Sequence, residues 1–317
     1  RERAREWVGG EKRLSFANPT YTMTTFRDLR CDRDLLRRAS GRRQLQRGGR
    51  SVDLDWLLDL GGGLSWRDLQ LLMVDADRTV ILHSPLEILE EHWVRHLQHQ
   101  VPLQHLVGLC PWRDVVLEVS EAALIPRQET ELLLELAISR PLCGAPRRLA
   151  DLGTGSGAIA VGLGRTWPDV PGHAVEISAD ALLLAERNLR THGAFPGWTL
   201  HGGSWWEPLR PWWGAFDLVL SNPPYIPSNL IRGLEPVVRD HEPHLALSGG
   251  ADGLDSIRAV VKDAPRALAP GGWLLIEHHH DQSAAVVAMM QSVGLSDVAA
   301  APDLQGVLRF GMGRRPF

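Results

Sequence analysis

From Arg147 to the C-terminus, short apolar runs alternate with stretches of helical spacing. The runs are Leu149-Ala150-Asp151-Leu152, His173-Ala174-Val175-Glu176, Trp198-Thr199-Leu200, Phe216 to Leu220, Trp273 to Glu277 and Val307 to Phe310. Helical stretches such as Asp180 to Thr191 and Asp281 to Val293 separate most of them. Strands that are apolar throughout have no solvent face, so both faces of their sheet need helices over them. Strand–helix alternation supplies those helices and predicts an α/β fold with a doubly wound, mostly parallel, Rossmann-like sheet. Such sheets bind ligands at the carboxyl ends of their strands. The residues that close each run are therefore the candidates for function.

The first run closes on "ADLGTGSGAIA", Ala150 to Ala160. Gly153, Gly155 and Gly157 let the backbone turn tightly and approach a ligand, with Thr154 and Ser156 between them. The spacing is GxGxG, whereas a dinucleotide loop seats its pyrophosphate with GxGxxG. The second run closes on Glu176, and a carboxylate there can accept hydrogen bonds from both hydroxyls of a ribose. A purely structural turn with a surface glutamate is the plainer alternative. Taken with the preceding Asp151, the loop and the acidic strand end point to S-adenosylmethionine, a nucleoside with no phosphate to cradle.

The fourth run ends abruptly on "SNPPYIP". Proline has no N–H and a fixed φ, so Pro223 and Pro224 stop sheet pairing and stiffen the turn. Their carbonyls are then unclaimed by a neighbouring strand, and Asn222 adds a side-chain carbonyl. Two acceptors beside an apolar wall of Pro224 and Tyr225 suit a planar NH2 group. Amide and exocyclic amine nitrogens delocalise their lone pairs and are poor nucleophiles. Accepting both N–H bonds fixes such a nitrogen, raises its electron density and lets it meet a sulfonium methyl in line, an effect of several kcal/mol. An Asn-Pro pair is also a common turn former, but its place after a GxGxG loop favours a site with Asn222, Pro223 and Tyr225 as its catalytic residues.

Ahead of this region the pattern differs. Val52 to Leu60 has helical spacing and stops at Gly61-Gly62-Gly63. Ser65-Trp66 opens a second helix. Ser84-Pro85-Leu86-Glu87 opens a third with an N-cap serine, a first-turn proline and a capping-box glutamate. Residues 24–105 are expected to form an N-terminal helical domain, 106–124 a β-hairpin linker and 125–317 the ligand-binding domain. Met23 reads as the natural start, and residues 1–23, without periodicity, as a disordered extension. The arginines between Arg27 and Arg50 form a solvated helical face or loose arm, or else an RNA-touching arm; the interleaved Asp28, Asp32 and Asp34 favour the former. His278-His279-His280-Asp281 sit consecutively at a strand end and point to alternate faces, so no metal site is expected. Three cysteines without a CxxC pair fit a reducing, cytoplasmic setting. No apolar run reaches the roughly 18–20 residues that span a bilayer.

The chain from about Val101 onward resembles the N5-glutamine methyltransferases that modify peptide chain release factors. The pieces that carry the resemblance are "PLQHLVG", "LIPRQETE", "DLGTGSGAIA", "AVEIS", "SNPPYIP", "HEPHLALSGGADGL" and "LAPGGWLLIEH". GxGxG and NPPY also occur in adenine and guanine N-methyltransferases, and the remaining pieces are more specific. The resemblance implies a class I methyltransferase domain that uses S-adenosylmethionine and yields S-adenosylhomocysteine, and assigns substrate recognition to the helical domain. It implies that Gly153, Thr154, Gly155, Ser156 and Gly157 line the methionine part of the cofactor. Glu176 would hold the ribose and Trp205 flank the adenine, with Asp151 and Asn222 also at the cofactor. Asn222 and Pro223 would accept from the glutamine amide, and Pro224 and Tyr225 would pack on it. Two departures stand out. Ser204 occupies a place that is usually acidic in the family, and Pro126-Arg127-Gln128 stands where the family reads PRP.

The implied reaction is methyl transfer to the side-chain nitrogen of the glutamine in the Gly-Gly-Gln motif of a release factor. The alternative is a nucleic-acid N-methyltransferase acting on an exocyclic amine. That enzyme needs a basic groove, whereas this chain carries a net charge of −4. A dinucleotide oxidoreductase is disfavoured by the missing GxGxxG. A monomer, with no stable nucleic-acid partner and no membrane association, is the expectation.

Overall fold

The computed structural model describes residues 22–25, 51–71, 74–75, 79–142, 144–195 and 197–317. Residues 1–21 and the arginine-rich segment 27–50 lie outside the described residues. Met23, by contrast, is in strand β1 (Thr22–Thr25), which pairs antiparallel with β2 (Thr79–Leu82). The chain divides into two compact units between His99 and Gln100.

In the first unit a helix over Ser51–Trp56 widens into a π-type turn at Leu57–Gly61, and helices follow at Trp66–Leu71 and Leu86–His99. Ser65 caps the second of these through Asp68, whose backbone N–H donates to the Ser65 hydroxyl at 3.2 Å. Leu57, Leu64, Leu89 and Trp93 are fully buried and form the centre of this unit.

The second unit opens with a short helix, Leu103–Val107, closed by Gly108 in the left-handed conformation. Strands β3 (Leu109–Trp112) and β4 (Val115–Glu118) then form a hairpin, and the helix Glu129–Ile138 follows. The main sheet contains β5 (Leu149–Leu152), β6 (Gly172–Glu176), β7 (Trp198–Gly202), β8 (Phe216–Ser221), β9 (Leu268–Glu277), β10 (Ser296–Pro302) and β11 (Leu308–Arg314). Its order is β10-β11-β9-β8-β5-β6-β7. The five strands from β5 to β9 are parallel, while β11 runs antiparallel to β9 and β10 antiparallel to β11.

Successive residues of a strand face opposite sides. Leu149, Leu218, Leu220 and Leu275 accordingly join one apolar cluster, with Leu133 and Leu134 from the helix over that face. Ala150, Leu152, Val219 and Leu274 join the other, with Val260 and Val261 from the helix Asp255–Ala267. The chain leaves β5 for β6 and β7 on one side and returns to place β8 on its other side. The topological switch thus falls at β5, and the crevice at its carboxyl end is the expected ligand position.

Candidate active site

A cavity opens at that end of the sheet. Gly153 and Gly155 line it from the turn after β5, Glu176, Ile177 and Ser178 from the end of β6, Ser204 and Trp205 from the turn after β7, and Asn222 and Pro224 from the end of β8. Segments around Ala122–Leu124 and Pro243–Ser248 supply further walls, with Ala181 and Ser256.

Glu176 is held by backbone donors on both sides. The Gly155 N–H donates to its Oε2 at 2.9 Å and the Ser178 N–H to its Oε1 at 3.0 Å. Each carboxylate oxygen keeps a further lone pair, so the group is pinned and still able to accept from two hydroxyls. Gly155 itself has φ 55°, and a Cβ placed on it would stand in the open cavity, its nearest neighbour being Ala123 Cβ at 3.9 Å. Trp205 adopts a left-handed backbone with φ 47°, a conformation uncommon outside glycine. Its ring lies over Gly153, where an added Cβ would meet Trp205 at 3.1 Å. The neighbouring Trp206 turns the other way and donates from the core to the Val260 carbonyl at 2.8 Å. The open backbone at Gly155, the carboxylate at Glu176 and the indole of Trp205 fit a nucleoside cofactor with an amino-acid tail.

Other residues of the glycine loop shape it from beneath. Thr154 and Ser156 are buried, as is Asp151, and none of the three lines the cavity. Asp151 accepts from the Thr154 hydroxyl at 2.6 Å and the Ala160 N–H at 3.2 Å. Its Oδ1 has no hydrogen-bond partner among the described residues. Burial outweighs those two bonds and pushes its carboxyl up to about 7. Ser156 acts through its carbonyl, which accepts from Asn188 at 2.8 Å. Gly157 caps the helix Ala158–Thr166.

At the end of β8 the last ladder pairs are Ser221 with Leu152 and Ser221 with Ile276. Asn222 and the prolines lie beyond them, as the loss of the proline N–H requires. Asn222 Nδ2 donates to Thr130 Oγ1 at 3.0 Å. Thr130 donates to Glu277 Oε2 at 2.7 Å, and the Tyr225 hydroxyl donates to Glu277 Oε1 at 3.1 Å. Burial pushes the Glu277 carboxyl up, against the pull of these two donors. Burial and the adjacent Glu277 carboxylate also push the Tyr225 hydroxyl up, so it stays a donor. Pro224 thus lines the cavity, while Pro223 is buried and Tyr225 packs against the apolar cluster of Leu152, Val219 and Leu274.

The segment "HEPHLALSGGADGL" backs this turn. Ile226 N–H donates to the Leu247 carbonyl at 3.0 Å and the Gly249 N–H to the Ile226 carbonyl at 2.9 Å. Glu242, 4% exposed, accepts from the Ile125 N–H at 3.2 Å and from Arg127 at 2.6 Å. Gln282 donates to the Tyr225 carbonyl at 2.9 Å. Thr130, Glu242, Glu277 and Gln282 had no assigned part in the sequence reading. Glu277 carried a usable signal: it is an acidic residue closing a central strand, the same cue that singled out Glu176. His279 pairs with Asp281 at 2.6 Å, while His278 is buried.

The family model described as methyltransferase small domain matches residues 128–231. A solved structure of the hMettl16 catalytic domain, in complex with a 3′UTR hairpin, superposes with a TM-score of 0.52 at 16% identity, covering 73% of this chain and 82% of that one. With the strand order and the cavity at its switch point, these matches show the Rossmann-like fold of class I methyltransferases. The release factor glutamine methyltransferase of Prochlorococcus marinus is 54% identical over 277 residues, 87% of this chain and 94% of that protein. Those of Thermosynechococcus vestitus and Synechocystis are 42% and 37% identical, covering 74% and 83% of this chain and 81% and 89% of theirs. The chain belongs to the release factor glutamine methyltransferases.

Proposed function

We propose that the protein transfers a methyl group from S-adenosylmethionine to the side-chain amide nitrogen of the glutamine in the Gly-Gly-Gln motif of a peptide chain release factor. The observation that carries this reading is the orientation of Asn222. One N–H of its NH2 donates to Thr130 at 3.0 Å, which turns the NH2 end toward Thr130 and the carbonyl end away from it, toward a substrate.

Glu176 accepts from the ribose hydroxyls, Trp205 stands against the adenine, and Gly153 and Gly155 leave room for the methionine tail. Asp151, Thr154, Ser156 and Gly157 hold that loop in shape. The cofactor, when bound, supplies an electrophilic methyl group on a sulfonium. Asn222 Oδ1 and the Pro223 carbonyl accept the two amide N–H bonds, which fixes the nitrogen and raises its electron density. Pro224 gives the flat amide an apolar wall, and Tyr225 holds the turn from behind. The amide becomes more acidic as its nitrogen forms the new bond, so its proton leaves late, to water, and no general base is required. Glycines before the glutamine let a protein loop enter a narrow cavity, because they bring no side chains.

An exocyclic amine of a base would present the same NH2 group. The net charge of −4 disfavours it, since a phosphate backbone is drawn to positive surface. The first unit is proposed as the surface that recognises the release factor. The setting is cytoplasmic, where translation takes place, and the enzyme is a monomer. Among the described residues no helix is long and apolar enough to cross a membrane. Mass spectrometry of a release factor incubated with enzyme and S-adenosylmethionine tests the reading. One added methyl group on the glutamine-bearing peptide supports it, and an unchanged peptide contradicts it.

A further inference from the structure

We infer that Thr130 and Glu277 are positioning residues, which set the Asn222 amide with its carbonyl toward the substrate. The inference deepens the glutamine-amide reading and rests on it. An asparagine side chain is nearly symmetric in shape, so only its hydrogen bonds decide which end points where. Thr130 has one hydroxyl hydrogen, and that hydrogen goes to Glu277 Oε2 at 2.7 Å. What Thr130 can offer Asn222 is then a lone pair, and only the NH2 end of Asn222 can use it, at 3.0 Å. The other Glu277 oxygen is filled by the Tyr225 hydroxyl at 3.1 Å. Thr130 is 4% exposed and Glu277 2% exposed, so water is a poor substitute for either partner.

One buried carboxylate thereby governs two parts of the NPPY turn: Tyr225 directly, 52 positions away in sequence, and Asn222 through Thr130, which lies 92 positions from it. Both hydroxyls must point their hydrogens at it, which leaves no freedom in the chain Glu277–Thr130–Asn222. Glu277→Gln changes this logic with little change of shape. An NH2 presented to Thr130 frees the threonine hydrogen to go to Asn222. Asn222 then turns its carbonyl inward and shows its own NH2 to the substrate, N–H against N–H.

The test compares the wild-type protein with Thr130→Val, Thr130→Ser and Asn222→Ala, and with Thr130→Val combined with Asn222→Ala. Two quantities are read. The first is hydrogen exchange of the Asn222 side-chain NH2 by NMR, assigned by its absence in Asn222→Ala, which needs no substrate. The second is kcat on a release factor, with cofactor affinity as the check on folding. Thr130→Val is expected to lose the exchange protection and to lower kcat about tenfold at unchanged cofactor affinity. Thr130→Ser restores both. In the Asn222→Ala background, Thr130→Val adds less than about twofold, because it has nothing left to orient. A purely structural role for Thr130 predicts instead that the two losses multiply. Equal exchange in wild type, Thr130→Val and Thr130→Ser overturns the inference, as does full multiplication of the two kcat losses. A wild-type protein that leaves release factor unmethylated overturns the substrate reading, and the exchange measurement alone then decides the orientation of Asn222.

Discussion

Gly155 faces open cavity beyond its missing side chain, and its left-handed backbone strains any β-branched replacement, so Gly155→Val disturbs the loop and the ligand space together while leaving the core untouched. Calorimetry is expected to show cofactor binding weakened by about 2–3 kcal/mol, a steric clash in the usual range for an added side chain. A variant that binds with unchanged affinity would remove Gly155 from the cofactor site. Asp151 makes a different prediction. Its carboxyl ordinarily titrates near 3.8, and burial carries it up to about 7 in the folded chain. Between those values the native state keeps a proton that the unfolded state has lost, so stability falls as pH rises through that window. Asp151→Asn keeps an oxygen for Thr154 and Ala160 and has no proton to lose. Its stability relative to wild type should rise from pH 4 to pH 7 and then level, by on the order of 4 kcal/mol. Urea denaturation across this range checks it, and parallel pH profiles for the two proteins would refute the buried-acid account.

Among the elements, the turn after β8 depends on segments far away in sequence. The pair between Arg127 and Glu242 joins "LIPRQETE" to "HEPHLALSGGADGL", and both segments line the cavity. The Glu242 side chain is 1% exposed and that of Arg127 33%. Arg127→Ala leaves the carboxylate buried without its counter-charge, which should cost about 3 kcal/mol of stability. Equal urea midpoints for variant and wild type would show the pair to be dispensable. Such couplings were not legible in the sequence, because a run of residues reveals its own periodicity and not its partner across the fold. Strand ends were legible: Glu176 and Asn222 both stand at the cavity, in the position that apolar runs ending at a turn require. Strand β10 was not, since Ser296–Pro302 holds one large apolar residue, Val298, and pairs only at the sheet edge. Gly271 and Gly272 lie within β9, although the apolar run begins only at Trp273. The parallel ladder with β8 shifts register there, between Phe216 and Leu218, and accommodates them. The strand pair β1–β2 was also missed, because two four-residue strands separated by helices give no alternation long enough to see.

At the scale of the molecule, the cavity sits where the strand order reverses, so the architecture fixes its position, and Asn222 and Pro224 of the NPPY turn line it. The Tyr225 hydroxyl donates to Glu277 at 3.1 Å, which ties the turn to the end of β9. The central claim is that the acceptors of the turn serve a glutamine amide. The measurement that tests it most directly offers, in parallel, a release factor, the same factor with its Gly-Gly-Gln glutamine changed to alanine, duplex DNA and ribosomal RNA, each with methyl-labelled S-adenosylmethionine. Label should enter the unaltered release factor alone. Label on either nucleic acid, or undiminished label on the alanine form, would contradict the account.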